Sequence, residues 1–192
     1  LELLLEAIAS DAFDYINLHW YYIRQDNGPA LTAARERDMG VFLISPTDKG
    51  GHLHSPSPRL LDLCKPLHPI VFNDLFCLSD SRVHTISVGA ARPSDLELHL
   101  QALELLEQAP ELLSPIEDRL QKGLTERLGK AWMQSWQQGL PSWSDTPGEI
   151  NLPVLLWLHT LLQGWDLESF AQARYGLLGN GSHWFPGRHA NR

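Results

Sequence analysis

Three short apolar runs, each leading into a helical pattern, constrain the fold of this chain more than any other feature. They lie at residues 13–20 (FDYINLHW), 41–44 (VFLI) and 83–88 (VHTISV). Strand then helix, in succession, predicts parallel βα units. Parallel strands buried on both faces read as nearly continuous apolar runs; VFLI fits this closely and VHTISV loosely. Helical patterns fill the intervals. Residues 1–8 are leucine-rich and interrupted by Glu2 and Glu6. Pro29 opens a helix at its first position and the pattern stops near Asp38. Shorter pieces follow at 59–63 and 70–78. Ser94 and Glu97 have capping-box spacing, and Leu96, Leu100, Leu103 and Leu106 give the ensuing helix an apolar stripe.

The pattern changes after Gln108, beyond which no strand is predicted. Ile116, Leu120, Leu124 and Leu128 recur every fourth residue, and Trp132 and Trp136 continue the series, predicting one long helix to Gly139. Residues 141–148 read as a turn-rich linker. Asn151 caps a helix through Leu162 that Gly164 ends, and Asp166 caps another through Leu178. In the tail, Trp184 and Phe185 are expected to pack on the body and residues 189–192 to be mobile. Three parts result: residues 1–108, a helical extension at 109–186 and a flexible tail at 187–192.

Composition narrows the function. A net charge of −8 argues against nucleic acid as a partner, since phosphate backbones require clustered cations. Arg35 and Arg37 alternate with Glu36 and Asp38, which reads as a solvated helix face. Cys64 and Cys77 lie in apolar contexts without metal-ligand spacing, so they read as buried thiols in a reducing cytoplasm. No run is long and apolar enough to span a membrane. The chain opens at Leu1, inside a helical pattern, and is expected to be a fragment of a longer protein.

The residues that carry chemistry cluster after the second and third strands. Ser45, Thr47, Asp48, Lys49, Gly50 and Gly51 follow one; Gly89, Ala90, Ala91 and Arg92 follow the other. Such loops can offer backbone N–H groups and a cation to a phosphate. Arg92 can grip phosphate bidentately, and the helix beginning at Ser94 adds its positive dipole end. A metal-dependent hydrolase using His19, His52 and His54 is a weaker reading, because no third ligand has a matching position beside His52 and His54. No serine sits in a G-x-S-x-G turn, which leaves the serine-hydrolase reading without its nucleophile elbow.

FDYINLHWYYI, AARERDMGVFLISPTDKGG and PIVFNDLFCLSDSRVHTISVGAARPSDLELHL together resemble the aldo/keto reductase family, in a bacterial and cyanobacterial branch with a helical C-terminal extension; RYGLLGNGSHWFPG resembles that branch too. The resemblance implies a (β/α)8 barrel, of which this chain would supply strands six to eight. It implies NADP as cofactor, with NAD possible, and reduction of a small-molecule carbonyl to an alcohol. Asn17 would meet the nicotinamide carboxamide. Ile44 stands where many members stack an aromatic ring. Ser45, Thr47, Lys49 and Gly50 would line the pyrophosphate, and Gly89, Ala90 and Arg92 the adenosine phosphate. Asp95 stands where many members carry Arg, and His99 where Asn often meets adenine. The Asp, Tyr, Lys, His tetrad belongs to the second to fourth strands. No catalytic or metal residue is therefore assigned here, and the upstream half of the barrel is the expected partner. The alternative is a non-catalytic cofactor-sensing or scaffold module of the same fold.

Overall fold

The structure is a computed structural model that describes residues 1–90, 92–180 and 185–190. Among them the chain is helical over 59% of its length. Its contacts divide into two units. The first comprises Leu1–Pro56 and Cys64–Glu117, the second Ser57–Leu63 and Asp118–Arg192.

The first unit opens with α1 (Glu2–Ala9), β1 (Tyr15–Leu18), α2 (Gly28–Glu36) and β2 (Gly40–Ile44). A short α3 (Pro46–Lys49) follows. Next in the chain is α4 (Pro58–Cys64), which belongs to the second unit up to Leu63; the first unit resumes with α5 (Pro69–Ser79), β3 (Thr85–Ser87) and α6 (Pro93–Glu104). The strands form one parallel sheet in the order β1-β2-β3, with Ile16 beside Val41 and Leu43 beside Ile86. Its buried face carries Ile16, Leu18, Val41 and Leu43, packed with Ile8, Ala30, Leu31, Ala34, Trp20, Tyr21 and Cys77. His84 extends the ladder: its N–H donates to the Val41 carbonyl at 3.0 Å, and its Nδ1 accepts from Val41 N at 3.0 Å. Both cysteines are buried, with no disulfide between them, and burial pushes the Cys77 thiol well above its ordinary pKa.

The expected barrel portion is not what forms. The sheet is open, with β1 and β3 as edges, and no further strand occurs among the described residues. Its second face is not covered as a barrel strand's would be: Tyr15, Asn17 and Thr85 are exposed, and Phe42 and Ile44 half-buried. Strand–helix alternation is shared by open sheets and closed barrels, so it cannot report closure. The first strand is also half its predicted length, because Phe13 and Asp14 precede the pairing and His19 and Trp20 leave it.

Helix α6 departs from expectation as well. Its N-cap is Arg92, whose backbone N–H donates to Asp95 Oδ2 at 2.9 Å, so Asp95 plays the part predicted for Glu97. The leucine stripe faces outward. Leu96, Leu100 and Leu103 are 49%, 59% and 55% exposed, while Asp95, His99 and Ala102 point inward.

The chain continues through α7 (Ala109–Leu128), which crosses the boundary between the units, and α8 (Lys130–Ser135). The predicted single helix to Gly139 breaks at Gly129, whose φ of 83° no helix accommodates. In the second unit, α9 (Leu152–Trp165) is capped as expected by Asn151, whose Oδ1 accepts from Val154 N at 3.1 Å. Gly164 does not end it. A Cβ there would lie 2.1 Å from Leu124 Cδ2, so the glycine permits α7 and α9 to approach. The turn comes at Asp166, with φ 55°, before α10 (Glu168–Leu177), whose N-cap is Leu167 rather than Asp166. Arg59 ties this unit together by donating to the Gly164 and Gly123 carbonyls at 2.7 and 3.3 Å. Phe185 packs edge-on against Trp157, and Tyr175 Oη donates to the Ala190 carbonyl at 2.9 Å. Ala91, Trp184 and residues 191–192 lie outside the described residues.

Candidate functional site

Loops leaving the carboxyl ends of parallel strands emerge along one edge of the sheet, where ligands of open α/β folds bind. Here that edge carries His19 after β1, Ser45 after β2 and Gly89 after β3.

The loop after β2 is built by short-range geometry. Ser45 turns the chain with a left-handed φ of 56°, an uncommon conformation for a residue with a Cβ. Pro46 then starts the single turn of α3. Gly50 closes it: a Cβ there would sit 2.0 Å from the Pro46 carbonyl oxygen and 3.2 Å from Asn73 Nδ2. Asn73 Nδ2 donates to that same carbonyl at 3.2 Å. The glycine's smallness thus serves the loop's own packing and not the approach of a ligand. Thr47 is buried, and its hydroxyl finds no hydrogen-bond partner among the described residues.

Lys49 points to the end of β1. Its Nζ donates to His19 Nε2 at 3.1 Å. With Nε2 accepting, the His19 proton resides on Nδ1, which lies 2.6 Å from Tyr21 Oη and 3.2 Å from the Ile44 carbonyl. Tyr21 Oη donates to Ile44 O and is wholly buried. Lysine, imidazole, phenol and carbonyl form one directed chain across the ends of β1 and β2.

After β3, Gly89 and Ala90 are exposed, and a Cβ on Gly89 would meet nothing within 4 Å. Arg92 keeps 65% of its side chain in solvent while Nη2 touches Asp95 Oδ1 at 3.3 Å and the His54 carbonyl at 3.4 Å. Asp95 is 1% exposed and lies 3.2 Å from His54 Nδ1. The loop after β2 and the start of α6 are therefore in contact. Beneath them His99 Nδ1 meets Asp74 Oδ2 at 2.5 Å and its Nε2 donates to the Gly89 carbonyl at 3.4 Å. The Asp74 hydrogen bond holds His99 above its ordinary pKa, and burial raises Asp74 more than His99 lowers it. Burial holds His68, at the N-cap of α5, below its ordinary value despite Asp95 nearby.

The predicted site residues thus separate. Lys49 and Arg92 occupy one edge, with Ser45, Gly89 and Ala90 beside them. Thr47, Gly50, Asp95 and His99 are buried and support that edge from within. Asn17 lies on the open face of the sheet, level with Phe42 and Thr85. The histidine metal reading finds no common centre: His19 faces Lys49, His52 faces Asp48 at 3.4 Å and His54 faces Asp95. Among the described residues no three His, Cys, Asp or Glu groups are placed to share a metal ion. His52 sits in a turn at φ 56°, so the one-face spacing expected of a strand does not apply. Sequence reasoning missed Asp74 and His68; both lie in or beside an apolar helix, and only the fold brings them under the loops.

Comparison with known protein families, curated proteins and solved structures finds no match to this chain.

Proposed function

We propose that the carboxyl edge of the sheet binds the phosphate-bearing part of a nicotinamide dinucleotide, with NADP favoured over NAD. The chain would then be the cofactor-binding part of an oxidoreductase that reduces a small carbonyl to an alcohol, in a reducing cytoplasm. The observation that carries this reading is that the loop after β2 and the start of α6, which bear Lys49 and Arg92, meet at the carboxyl edge through His54 and Asp95.

The residues fit such a group. Arg92 offers a solvent-facing guanidinium whose orientation is fixed on one side by Asp95 and His54. That leaves its other nitrogens to pair with phosphate. The ammonium of Lys49 adds charge without fork geometry. The cofactor would supply the hydride chemistry; this chain supplies grip and orientation. Tyr21 is not an acid available to substrate, because its hydroxyl is buried and committed to Ile44 O. That favours a chain inactive by itself, as both the partial-enzyme reading and the alternative of a cofactor-sensing or scaffold module require.

Equilibrium titration by NADPH fluorescence tests the proposal. Binding is expected, with Arg92→Ala weakening NADPH roughly tenfold or more and NADH much less, since one charge-assisted bidentate pair is lost. Absence of saturable binding, or equal loss for both nucleotides, contradicts it.

A further inference from the structure

Beneath the carboxyl edge the His99 ring is held between two acceptors. Its Nδ1 lies 2.5 Å from Asp74 Oδ2, and its Nε2 lies 3.4 Å from the Gly89 carbonyl oxygen. Asp74 stands in α5, His99 in α6 and Gly89 just after β3, so one ring joins two helices to the loop. Among the described residues no other side chain hydrogen-bonds Gly89 or Ala90.

Proton counting decides what this arrangement can do. A carbonyl only accepts, so the Gly89 contact requires a proton on Nε2. Nδ1 and Oδ2 then face each other with one proton between them, whichever atom carries it, and the pair is neutral overall. Removing that proton leaves an ionised carboxylate beside an imidazole with a single N–H. The N–H goes to the carboxylate, because charge-assisted hydrogen bonds are the stronger ones. Nε2 is left with a lone pair aimed at the Gly89 carbonyl oxygen, and the contact turns repulsive. Asp74 and His99 both hold protons more tightly than usual, as a shared proton requires.

We propose that Asp74 and His99 are positioning residues for the phosphate edge: with the shared proton they latch the Gly89 loop to α6, and without it the latch opens and the edge binds its dinucleotide more weakly. The ligand rests on the reading given above; the latch does not. Two effects act together. The opened loop no longer fixes its backbone N–H groups, and the pair gains a negative charge that burial leaves poorly screened. The other titratable or charged groups around the pair are Asp95 and Arg92 on α6, His54 in the loop after β2, and His68 and Cys77 at or on α5. Burial keeps Cys77 a thiol and, above pH 6.5, His68 a neutral imidazole. His54 lies against Asp95 instead, so a dependence that Asp74→Asn abolishes is not its own. That variant separates the latch from a merely structural role. An amide donates from Nδ2 to Nδ1 while Nε2 keeps its proton for Gly89, which holds the latch closed at every pH.

Two measurements on the full chain test this. Without ligand, nitrogen-edited NMR of the histidine rings is followed from pH 6.5 upward. His99 Nε2 should change from a protonated to a bare nitrogen, and the Gly89 and Ala90 amides should shift at the same midpoint. In Asp74→Asn, Nε2 should stay protonated and both amides should stay still. NADPH is then titrated above about pH 7, where a ribose phosphate is already close to doubly ionised. Its affinity should fall roughly fivefold or more through that midpoint in the wild type and stay within about twofold in Asp74→Asn. A Gly89 amide indifferent to the His99 titration, an Nε2 without a proton at the start, or a pH dependence that survives Asp74→Asn overturns the proposal. Should Asp74→Asn fail to fold, the wild-type correlation between Nε2 and the Gly89 amide decides. A chain that never binds NADPH overturns the dinucleotide reading and the ligand half of this proposal, while the ligand-free titration alone confirms or overturns the latch.

Discussion

At the scale of single residues, Gly50 and the His99–Asp74 pair show how the carboxyl edge is held. Gly50→Ala places a methyl 2.0 Å from a backbone oxygen that cannot rotate away, so the loop must open. Overpacking of this kind costs about 1–3 kcal/mol, and denaturant unfolding should register it as a lower midpoint at unchanged slope. His99 and Asp74 both hold their protons more tightly when folded. For His99, raised above 6.5, the stabilisation is complete below pH 6.5 and is lost as pH rises through the folded value. Asp74 acts in the same direction nearer its own ordinary value. His68 is lowered and acts oppositely, but only below pH 6.5. The melting temperature should therefore fall as pH rises above about 6.5 through the raised pKa of His99, and His99→Gln should flatten that fall. A slope that His99→Gln leaves unchanged would assign the effect elsewhere. Little of this pair was readable beforehand. Asp74 lies in the apolar run PIVFNDLF, and nothing local to it announces a histidine 25 positions away.

Elements were legible where a local signal decides them. Pro29 and Asn151 start helices where composition says they should, and the 116–120–124 repeat is buried as its spacing requires. Elements were misread where a tertiary contact decides. Gly164 looks like a stop, yet it is the point where α9 meets Leu124. Two effects oppose each other in Gly164→Ala. Helix propensity gains about 0.5–1 kcal/mol, whereas overpacking against Leu124 costs about 1–3 kcal/mol. Net destabilisation is expected. In a Leu124→Ala background, itself costly by about 2–5 kcal/mol, the clash is gone and Gly164→Ala should become neutral or favourable. A double-mutant cycle measures that sign change; additive losses would deny the contact. Helix α6 teaches the same lesson, since its leucines look like a core stripe but the carboxylate of Asp95 and the imidazole of His99 take the inner face.

For the whole molecule, the parallel βα order was legible and closure was not. Period and alternation specify which segments pair, but the number of strands that complete a sheet is a non-local property. The cation-bearing loops were legible as loops, because Gly, Pro, Ser and Lys cluster after apolar strands. That the loop after β2 touches the start of α6, at His54 and Asp95, required the fold. The direct test that these two loops share a dinucleotide is amide-resolved NMR of the isotopically labelled chain titrated with NADP. Resonances of residues 45–51 and of 89–95 other than proline should shift together and saturate with a single dissociation constant, while α9 and α10 remain still. Shifts confined to one loop, or centred on another face of the molecule, would contradict a shared dinucleotide site.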